Sequence, residues 1–245
     1  MKKTHDAITG KGSAFRQYQD VIVGSTSLLY FFYFEFCLML SIIPGAAGMI
    51  LRKLCWPRLF KGCGKGVLFG TNIVLRHPNR IEIGERVVIS DGCILDARHS
   101  DTIDVIKLDD DVMLSNDVMF SCKNGSIEIG KNTGINAKTI IQSTNDCHVT
   151  LGCDVIVGQR AFIVGGGTYN TESLETPIRL QGIRPDGGVE IGDNVWIGGN
   201  VSVLGGVRIG HGSILAAATV MTKSVEPFSL CRGIPGKVYG TRKEI

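Results

Sequence analysis

The sequence predicts a mainly β chain, in which an apolar helical segment precedes a parallel β-helix of about seven coils. Three observations support this fold class. Aliphatic residues recur at every sixth position through most of the chain, glycine accounts for 32 of the 245 residues, and an apolar run occupies residues 21–43. Glycine is about twice as frequent as in an average protein, which indicates a backbone that turns often and tightly.

The apolar run near the N-terminus predicts helices. It contains a single charge, Glu35, ends at Pro44-Gly45, and is followed by a shorter apolar stretch over residues 46–51. Its length suits a transmembrane helix, but basic residues flank it on both sides, so charge does not orient it. We expect a helical hairpin that enters the cytosolic leaflet and returns. The alternative is a hairpin that packs on the body of the protein.

Charge is distributed unevenly along the chain. Residues 1–65 hold nine basic and three acidic residues, whereas the remainder holds 17 basic and 20 acidic residues. A nucleic-acid-binding protein carries its basic residues across the working face, so we expect no nucleic-acid partner. The predicted organisation is a polar tail at 1–20, an apolar helical membrane-associating segment at 21–60 and a β-helix at 66–242.

The eight cysteines form no Cys-x-x-Cys pair and are spread over the whole chain. This spacing supports neither a disulfide framework nor a zinc site, so we expect reduced thiols, no metal and a cytoplasmic protein at the cytosolic side of the cell membrane.

The period of six is clearest in the last third of the chain. Its aliphatic positions are Ile191, Ile197, Val203, Ile209, Leu215 and Met221. An α-helix cannot hold this period on one face, whereas a short strand followed by a tight turn can. Three such hexads make one triangular coil. The same register continues upstream to Phe69 and Leu75, which gives one partial and six full coils that bury their inner residues only against one another.

The hexad register is interrupted five times, always after the third hexad of a coil. All inserted loops are therefore expected at one edge of the prism, which is where binding and catalytic residues would collect. This edge holds His77, His99, Lys123, His148 and Tyr169. His211 follows a regular turn instead, and we interpret it as a solvated turn residue.

The hexads, together with the closing sequence Gly233-Ile-Pro-Gly-Lys-Val238, resemble the left-handed β-helix of the hexapeptide-repeat acyltransferases, and in particular the sugar O-acetyltransferases. The resemblance extends over about residues 66 to 242. The apolar N-terminal segment resembles a subset with a membrane-associating N-terminus. The resemblance implies a left-handed coil, a homotrimer, and acetyl-CoA or another acyl-CoA as co-substrate.

The catalytic histidine of these enzymes has no direct counterpart in this chain. The matching region reads Gly165-Gly-Gly-Thr-Tyr169, so that Tyr169 occupies the histidine position and Glu175 an aspartate position. Acyl transfer needs a base near neutral pH, whereas an ordinary tyrosine has a pKa near 10. The base could therefore be His148, one coil earlier; His99, with Asp96 and Asp101 beside it; or an assisted Tyr169. A fourth possibility is that the chain lacks this chemistry.

The coenzyme positions are better matched. By resemblance, coenzyme A lies along the last coils beside small residues of the hexads. The implied cofactor-binding residues are Trp196, Gly199, Ala217, Thr222, Lys223 and Lys237. The two lysines would meet phosphates, and Arg242 lies near the place where the family often carries a further arginine.

The predicted function is an acyl-CoA-dependent O-acyltransferase, above all an acetyltransferase, acting at the cytosolic membrane face. Its predicted acceptor is a lipid-linked or surface glycan, and its predicted partners are membrane lipids and two further copies of itself. One alternative is a non-catalytic β-helix scaffold tethered at a membrane. Another is a metal hydratase, which would need three histidine ligands and for which the chain has no matching His-x₄-His pair.

Overall fold

The computed structural model describes residues 13–100 and 105–242. The chain begins with helix α1 (Ala14–Tyr18), a π-helical turn (Gln19–Val23), helix α2 (Leu28–Ser41) and helix α3 (Gly45–Cys55). Short 3₁₀ turns follow at Trp56–Leu59, Pro78–Arg80 and Ile178–Leu180. The remaining regular structure is β-strand.

The strands form three sheets, which we call faces A, B and C. Face A contains β1 (Gly62–Cys63), β4 (Ile81–Ile83), β7 (Ile106–Leu108), β10 (Ser126–Ile129), β13 (His148–Leu151), β16 (Val189–Ile191) and β19 (Arg208–Ile209). Face B contains β2 (Leu68–Phe69), β5 (Val88–Ile89), β8 (Met113–Leu114), β11 (Gly134–Ile135), β14 (Ile156–Val157), β17 (Trp196–Ile197), β20 (Ile214–Leu215), β22 (Ser229–Arg232) and β23 (Lys237–Thr241). Face C contains β3 (Val74–Arg76), β6 (Ile94–Arg98), β9 (Met119–Lys123), β12 (Ile140–Thr144), β15 (Phe162–Gly165), β18 (Ser202–Val203) and β21 (Val220–Met221).

Each coil takes one strand from each face, and each strand of a coil pairs in parallel with the strand one coil later. The last strand, β23, pairs with β22 in the antiparallel direction. The structure thus confirms a parallel β-solenoid of about seven turns preceded by helices. The first coil, predicted as partial, is complete: Cys63 of β1 lies six residues before Phe69. The sequence pattern missed it because cysteine is not an aliphatic residue.

The predicted inner positions of the coils are buried, from Phe69 to Met221. The turns between strands repeat as regularly as the core. Their tight geometry places a residue with positive φ at each corner, for example Asn132, Lys138, Asp154 and Arg160. Asparagine, aspartate and glycine are the residues that adopt this conformation most readily, which accounts for part of the high glycine content.

The helical hairpin of α2 and α3 covers the open end of the first coil. The rings of Trp56 and Phe60 lie 5.3 and 5.5 Å from the ring of Phe69, an inner residue of that coil. The buried guanidinium of Arg52 donates to the carbonyl oxygens of Phe69, Leu40 and Ile43 at 3.1, 2.8 and 2.8 Å. Arg52 therefore joins both helices to an otherwise unpaired sheet edge, and such edges promote aggregation when they are left open.

The segment before the hairpin crosses the first coil and is held by His77. The backbone N–H of His77 donates to the carbonyl of Ile22 at 2.9 Å, and its ring Nε2 lies 2.9 Å from the carbonyl oxygen of Asp20. Asn79 donates to the carbonyl of Gly24 at 3.0 Å. α1 and β1 also place regular structure outside the predicted segments 21–60 and 66–242.

The predicted apolar run is split in two at residues 24–27. Within the described residues, no single helix is both long and apolar enough to cross a membrane. Ala14–Val23 and Leu28–Ser41 meet the length and composition requirement only as a pair, and the pair is bent by 67°.

Candidate active site

The inserted loops do emerge at one edge, between face C and the next strand of face A; we call it the loop edge. Residues 77–80, 99–100, 124–125, 145–147 and 166–188 all lie there. The edge therefore collects the predicted histidines, but at different heights. His77 and His99 follow the first and second coils, whereas His148 begins the fifth.

His148 is exposed at the first position of β13 and pairs in register with Ser126 of β10. The Oγ atom of Ser126 lies 2.6 Å from Nδ1 of His148, which is a short hydrogen bond. With Nδ1 occupied, Nε2 is the ring nitrogen left for proton transfer to a substrate. The sequence pattern gave no reason to select Ser126, because the contact depends on the register of two strands 22 residues apart.

His148 also lies beside the end of the long loop, on the strand one coil earlier. A Cβ atom on Gly188 would lie within 1.9 Å of the His148 carbonyl oxygen, so only glycine fits where the loop rejoins the sheet. The positive φ of Gly188, 78°, adds a second requirement for glycine.

His99 is differently placed. Its expected orienting partner, Asp96, is buried and binds Arg98 at 2.6 Å and Arg76 at 3.2 Å. The His99 carbonyl accepts a hydrogen bond from Arg80. The other expected partner, Asp101, lies outside the described residues. The carboxylate of Asp96 thus holds two arginines on neighbouring strands, which is a structural role.

His77 is a structural residue as well. It is buried, and burial, followed by the charge of Arg80, lowers the pKa of its ring to about 4. Its backbone is in the left-handed region with φ of 52°. A neutral, buried ring that holds the N-terminal segment is not positioned to act on a substrate.

Residues 166–188 form an ordered arm, and Tyr169 lies within it. Its two sides are joined by backbone hydrogen bonds from Arg184 to Thr168 and from Asn170 to Gly182, at 2.8 and 3.1 Å. Tyr169 is half exposed and bridges Ile183. The tip is organised by the side chain of Gln181, which donates to two carbonyl oxygens and accepts from the Ser173 amide.

Asp186 closes the arm at its base, a role that sequence reasoning did not predict. Its carboxylate accepts from the backbone amides of Gly166, at 2.8 and 3.0 Å, and Gly188, at 3.0 Å. Gly205 of the next coil packs directly against this carboxylate, since a Cβ there would lie 1.9 Å from it. The base of the arm is therefore fixed, while Leu174 at its tip is 99% exposed.

The predicted coenzyme residues lie mainly at another edge, between faces B and C, which we call the glycine edge. Ala217 is exposed there, and Gly199 has room around it. Gly198, the neighbour of Gly199 in the chain, packs against the backbone of Ala217 one coil later. Gly199 and Ala217 therefore occupy adjacent coils. Trp196 lies next to them on face B and is 54% exposed.

Cationic side chains surround this end of the solenoid. Arg242 and Trp196 line one cavity of about 270 Å³, together with Ile156 and Ile214. Lys237 lines a second cavity of about 440 Å³ with Arg232, whose guanidinium lies 4.6 Å above the ring of Tyr239. Thr222 and Lys223 are exposed at the loop edge, away from the other predicted coenzyme residues.

The two edges do not meet within one chain. Face C separates them, and its strands of five residues, such as β9 and β12, span roughly 16 Å. Histidines 77, 99 and 148 likewise lie on separate coils.

Over the parts of the chain that the structure describes, no group of three His, Cys, Asp or Glu residues is arranged to hold a metal ion. All eight cysteines are free thiols.

Comparisons with known proteins agree with this architecture. Residues 188–223 match the family "Bacterial transferase hexapeptide (six repeats)". A Staphylococcus aureus (strain COL) protein provisionally named as an acetyltransferase is 36% identical over 107 residues, which covers 37% of this chain and 54% of that one. A similarly named protein of Saccharomyces cerevisiae is 37% identical over 122 residues, covering 49% and 58%. The chain thus spans little more than half the length of these relatives.

Two solved structures share the fold. A variant of the N-acyltransferase AntD of Bacillus cereus, in complex with dTDP and coenzyme A, superposes with a TM-score of 0.53 at 17% identity and covers 83% of this chain and 91% of that one. The UDP-N-acetylglucosamine acyltransferase of Campylobacter jejuni gives 0.50 at 18% identity, covering 73% and 69%. The chain therefore carries a bacterial transferase hexapeptide repeat and resembles the hexapeptide-repeat acyltransferases.

Proposed function

We propose that this protein is an acyl-CoA-dependent O-acyltransferase, and specifically an acetyltransferase, with His148 as its general base. The observation that carries the proposal is the short contact between Ser126 and an exposed His148 at the edge where every long loop emerges. The relatives named as acetyltransferases and the coenzyme A in the AntD complex support the donor.

The coenzyme is proposed to bind across face B and the glycine edge of the last two coils. Trp196, Gly199 and Ala217 form this surface, with Lys237 and Arg242 close by to meet phosphates as cations. In the reaction, His148 takes the proton of the acceptor hydroxyl as its oxygen attacks the thioester carbonyl. The C–S bond then breaks, and the sulfur takes this proton from His148, so that the coenzyme leaves as the thiol.

A homotrimer is proposed because one chain does not bring the base and the coenzyme surface together. The outward residues of two faces are mostly apolar, and those of the third are mostly charged. Face B presents Leu68, Val88, Met113, Gly134, Ile156, Trp196, Ile214 and Leu230, face C presents Val74, Ile94, Met119, Ile140, Phe162, Ser202 and Val220, and face A presents Glu82, Lys107, Glu128, Thr150, Glu190 and Arg208.

Packing face C of one copy on face B of the next would bury the apolar surfaces of both, apart from the coenzyme surface at the last two coils, in a contact that closes into a ring. In this contact, the loop edge that borders face C of one copy comes next to the coenzyme surface of the other copy. The base of one protomer then serves the coenzyme of another.

The hairpin is proposed to dock on the cytosolic face of a membrane. Phe34, Cys37 and Ser41 of α2 are buried, whereas Leu29 and Phe32 on the opposite side are 84% and 67% exposed. The exposed apolar surface continues through these side chains of the hairpin: Leu28, Phe36, Met39, Ile42, Met49, Ile50 and Leu54. A surface of this size marks an interaction site.

A lipid surface is the occupant that the polar groups favour. Tyr18 donates to Glu35, the one charge of α2, at 2.6 Å, and Tyr30 donates to the Leu59 carbonyl at 2.7 Å. Polar side chains of the hairpin are thereby satisfied within the protein, as a low-dielectric environment requires. Exposed cations, Lys53 and Arg58 among them, border the apolar surface and complement anionic headgroups.

The acyl transfer is tested by titrating the full-length protein in mild detergent with acetyl-CoA and then measuring release of free coenzyme A on addition of native membranes. The proposal expects binding and membrane-dependent release. Binding without release under any acceptor would instead support the non-catalytic scaffold, and no binding would contradict both the donor and the enzyme class.

Docking is tested by flotation with vesicles containing anionic lipid. The pair Leu29→Glu and Phe32→Glu should release the protein, whereas Thr150→Glu on face A should not. Equal flotation of both variants would contradict docking through the hairpin. Truncation after Trp56 is a poorer test, because Trp56 and the hairpin cover the core residue Phe69.

A further inference from the structure

The direction of the hairpin relative to the solenoid is fixed by the backbone groups it satisfies. In a parallel β-sheet, N–H and C=O groups point toward the neighbouring strands, which here means along the solenoid axis. The carbonyl oxygens of Phe69 and Ile73 point away from the second coil and accept from Arg52 and Ser41 at 3.1 and 3.2 Å. The amide of Asn72 donates to the Ser41 carbonyl at 2.9 Å.

The hairpin therefore lies across the end of the prism. Because the side packed on the first coil faces along the axis, the opposite apolar side, with Leu29, Phe32 and Met39, faces away from all seven coils. Docking of that side on a bilayer makes the solenoid stand upright, with its axis near the membrane normal.

An upright solenoid holds His148 at a fixed height. On face A, β13 is four strand positions beyond β1. With neighbouring strands about 4.8 Å apart, His148 lies about 19 Å above the first coil. A docked interfacial helix sinks only about 5–10 Å into the headgroup region, so the catalytic group stays roughly 20 Å from the bilayer surface.

A phospholipid headgroup does not reach this height. The polar region adds about 5–8 Å to each side of the hydrocarbon core. A hydroxyl on such a headgroup would stop more than 10 Å short of Nε2 of His148, whereas proton abstraction needs about 3 Å.

We infer that the acceptor is a membrane-anchored molecule with an extended head, whose reacting hydroxyl lies about 20 Å from the bilayer; among such lipids, a glycan-bearing one has the required hydroxyls. This inference rests on the acyl transfer and the membrane docking proposed above. Glycerophospholipids are excluded as acceptors although they surround the protein.

The height is tested without any catalysis. A fluorophore attached at the C-terminal end of the full chain serves as donor, and vesicles of phosphatidylcholine and phosphatidylglycerol carry a rhodamine lipid as acceptor. The seventh coil is about 29 Å beyond the first, so energy transfer should report a separation of about 30 Å or more. A separation below about 15 Å would mean that the solenoid lies flat and would overturn the inference.

The acceptor class is tested with acetyl-CoA labelled in the acetyl group and vesicles of total native membrane lipid. Label should enter glycan-bearing lipids, and cleavage of the glycosidic bond should remove the label together with the glycan. Glycerophospholipids should carry no label. Label in a glycerophospholipid would overturn the inference while leaving the acyl transfer intact. No label in any lipid would refute the acyl transfer to membrane acceptors, and the energy-transfer result would still decide the height.

Discussion

The Oγ atom of Ser126 lies 2.6 Å from Nδ1 of His148, on strands that are adjacent in face A but 22 residues apart in the chain. A hydrogen bond of this length restricts the rotation of the imidazole and occupies Nδ1, which leaves Nε2 for the acceptor. Ser126 is thus a positioning residue for the proposed base.

Replacing Ser126 by alanine should lower kcat about tenfold and leave the affinity for acetyl-CoA unchanged, because the ring is no longer held in one orientation. Ser126→Thr keeps the hydroxyl and should recover most of the rate. Steady-state kinetics of the three proteins measure this. A Ser126→Ala variant with unchanged kcat would show that the contact has no role in turnover.

Ala217→Phe should abolish acyl-CoA binding and leave the fold intact. The side chain is exposed at the glycine edge, so the larger ring fills the proposed coenzyme surface rather than the core. Ala137→Phe is the matched control, since Ala137 lies at the same edge three coils earlier. Calorimetry should detect binding in the control only; unchanged affinity in Ala217→Phe would move the coenzyme to another surface.

Met113→Glu should dissociate the trimer. Met113 is 50% exposed in the apolar column of face B, and a carboxylate buried there in the contact would cost several kcal/mol. Light scattering in mild detergent should give the mass of one chain for this variant and three chains for Thr150→Glu on face A. A monomeric wild-type protein at micromolar concentration would refute the assembly itself.

The stability of the fold should depend on pH through His77. Its folded pKa of about 4 lies below the ordinary 6.5, so the unfolded chain binds a proton that the folded chain does not. This contribution is fully present above pH 6.5 and is lost as pH falls toward 4, by roughly 3 kcal/mol. Denaturant unfolding at pH 7 and pH 4.5 should show a smaller pH effect for His77→Asn, which also tolerates the left-handed backbone. Equal pH effects in both proteins would contradict a buried neutral ring.

Much of the solenoid could be predicted because its core repeats. Each inner residue from Phe69 to Met221 follows a fixed period, and each slip in that period marks a loop at one edge. The hairpin escaped full prediction for the opposite reason. An apolar run such as residues 28–41 has no polar side to show which face packs inward, so its cap on Phe69 depends on contacts made by Arg52 and Trp56.

The site was less predictable than the fold. The resemblance indicated where a catalytic histidine is missing, but Ser126 and Asp186 became visible only once the coils were stacked. The sequence predicts Asp96 as a residue that could orient His99 as a base. In the structure, Asp96 binds Arg76 and Arg98 instead. Partners in a solenoid are neighbours across coils, about 20 residues apart, rather than neighbours in the chain.

The rate of acetyl transfer by His148→Ala shows whether His148 is the general base. Acetyl-CoA, full-length protein and native membranes are combined, and the rate of coenzyme A release is compared for wild type, His148→Ala, His99→Ala and Tyr169→Phe. We expect kcat to fall by about 10²–10⁴ for His148→Ala, the usual effect of removing a general base, with acetyl-CoA affinity retained. The other two variants should remain active. Normal turnover by His148→Ala would contradict the assignment of His148 as the base. So would a loss of kcat of this size in His99→Ala or Tyr169→Phe while His148→Ala remains active.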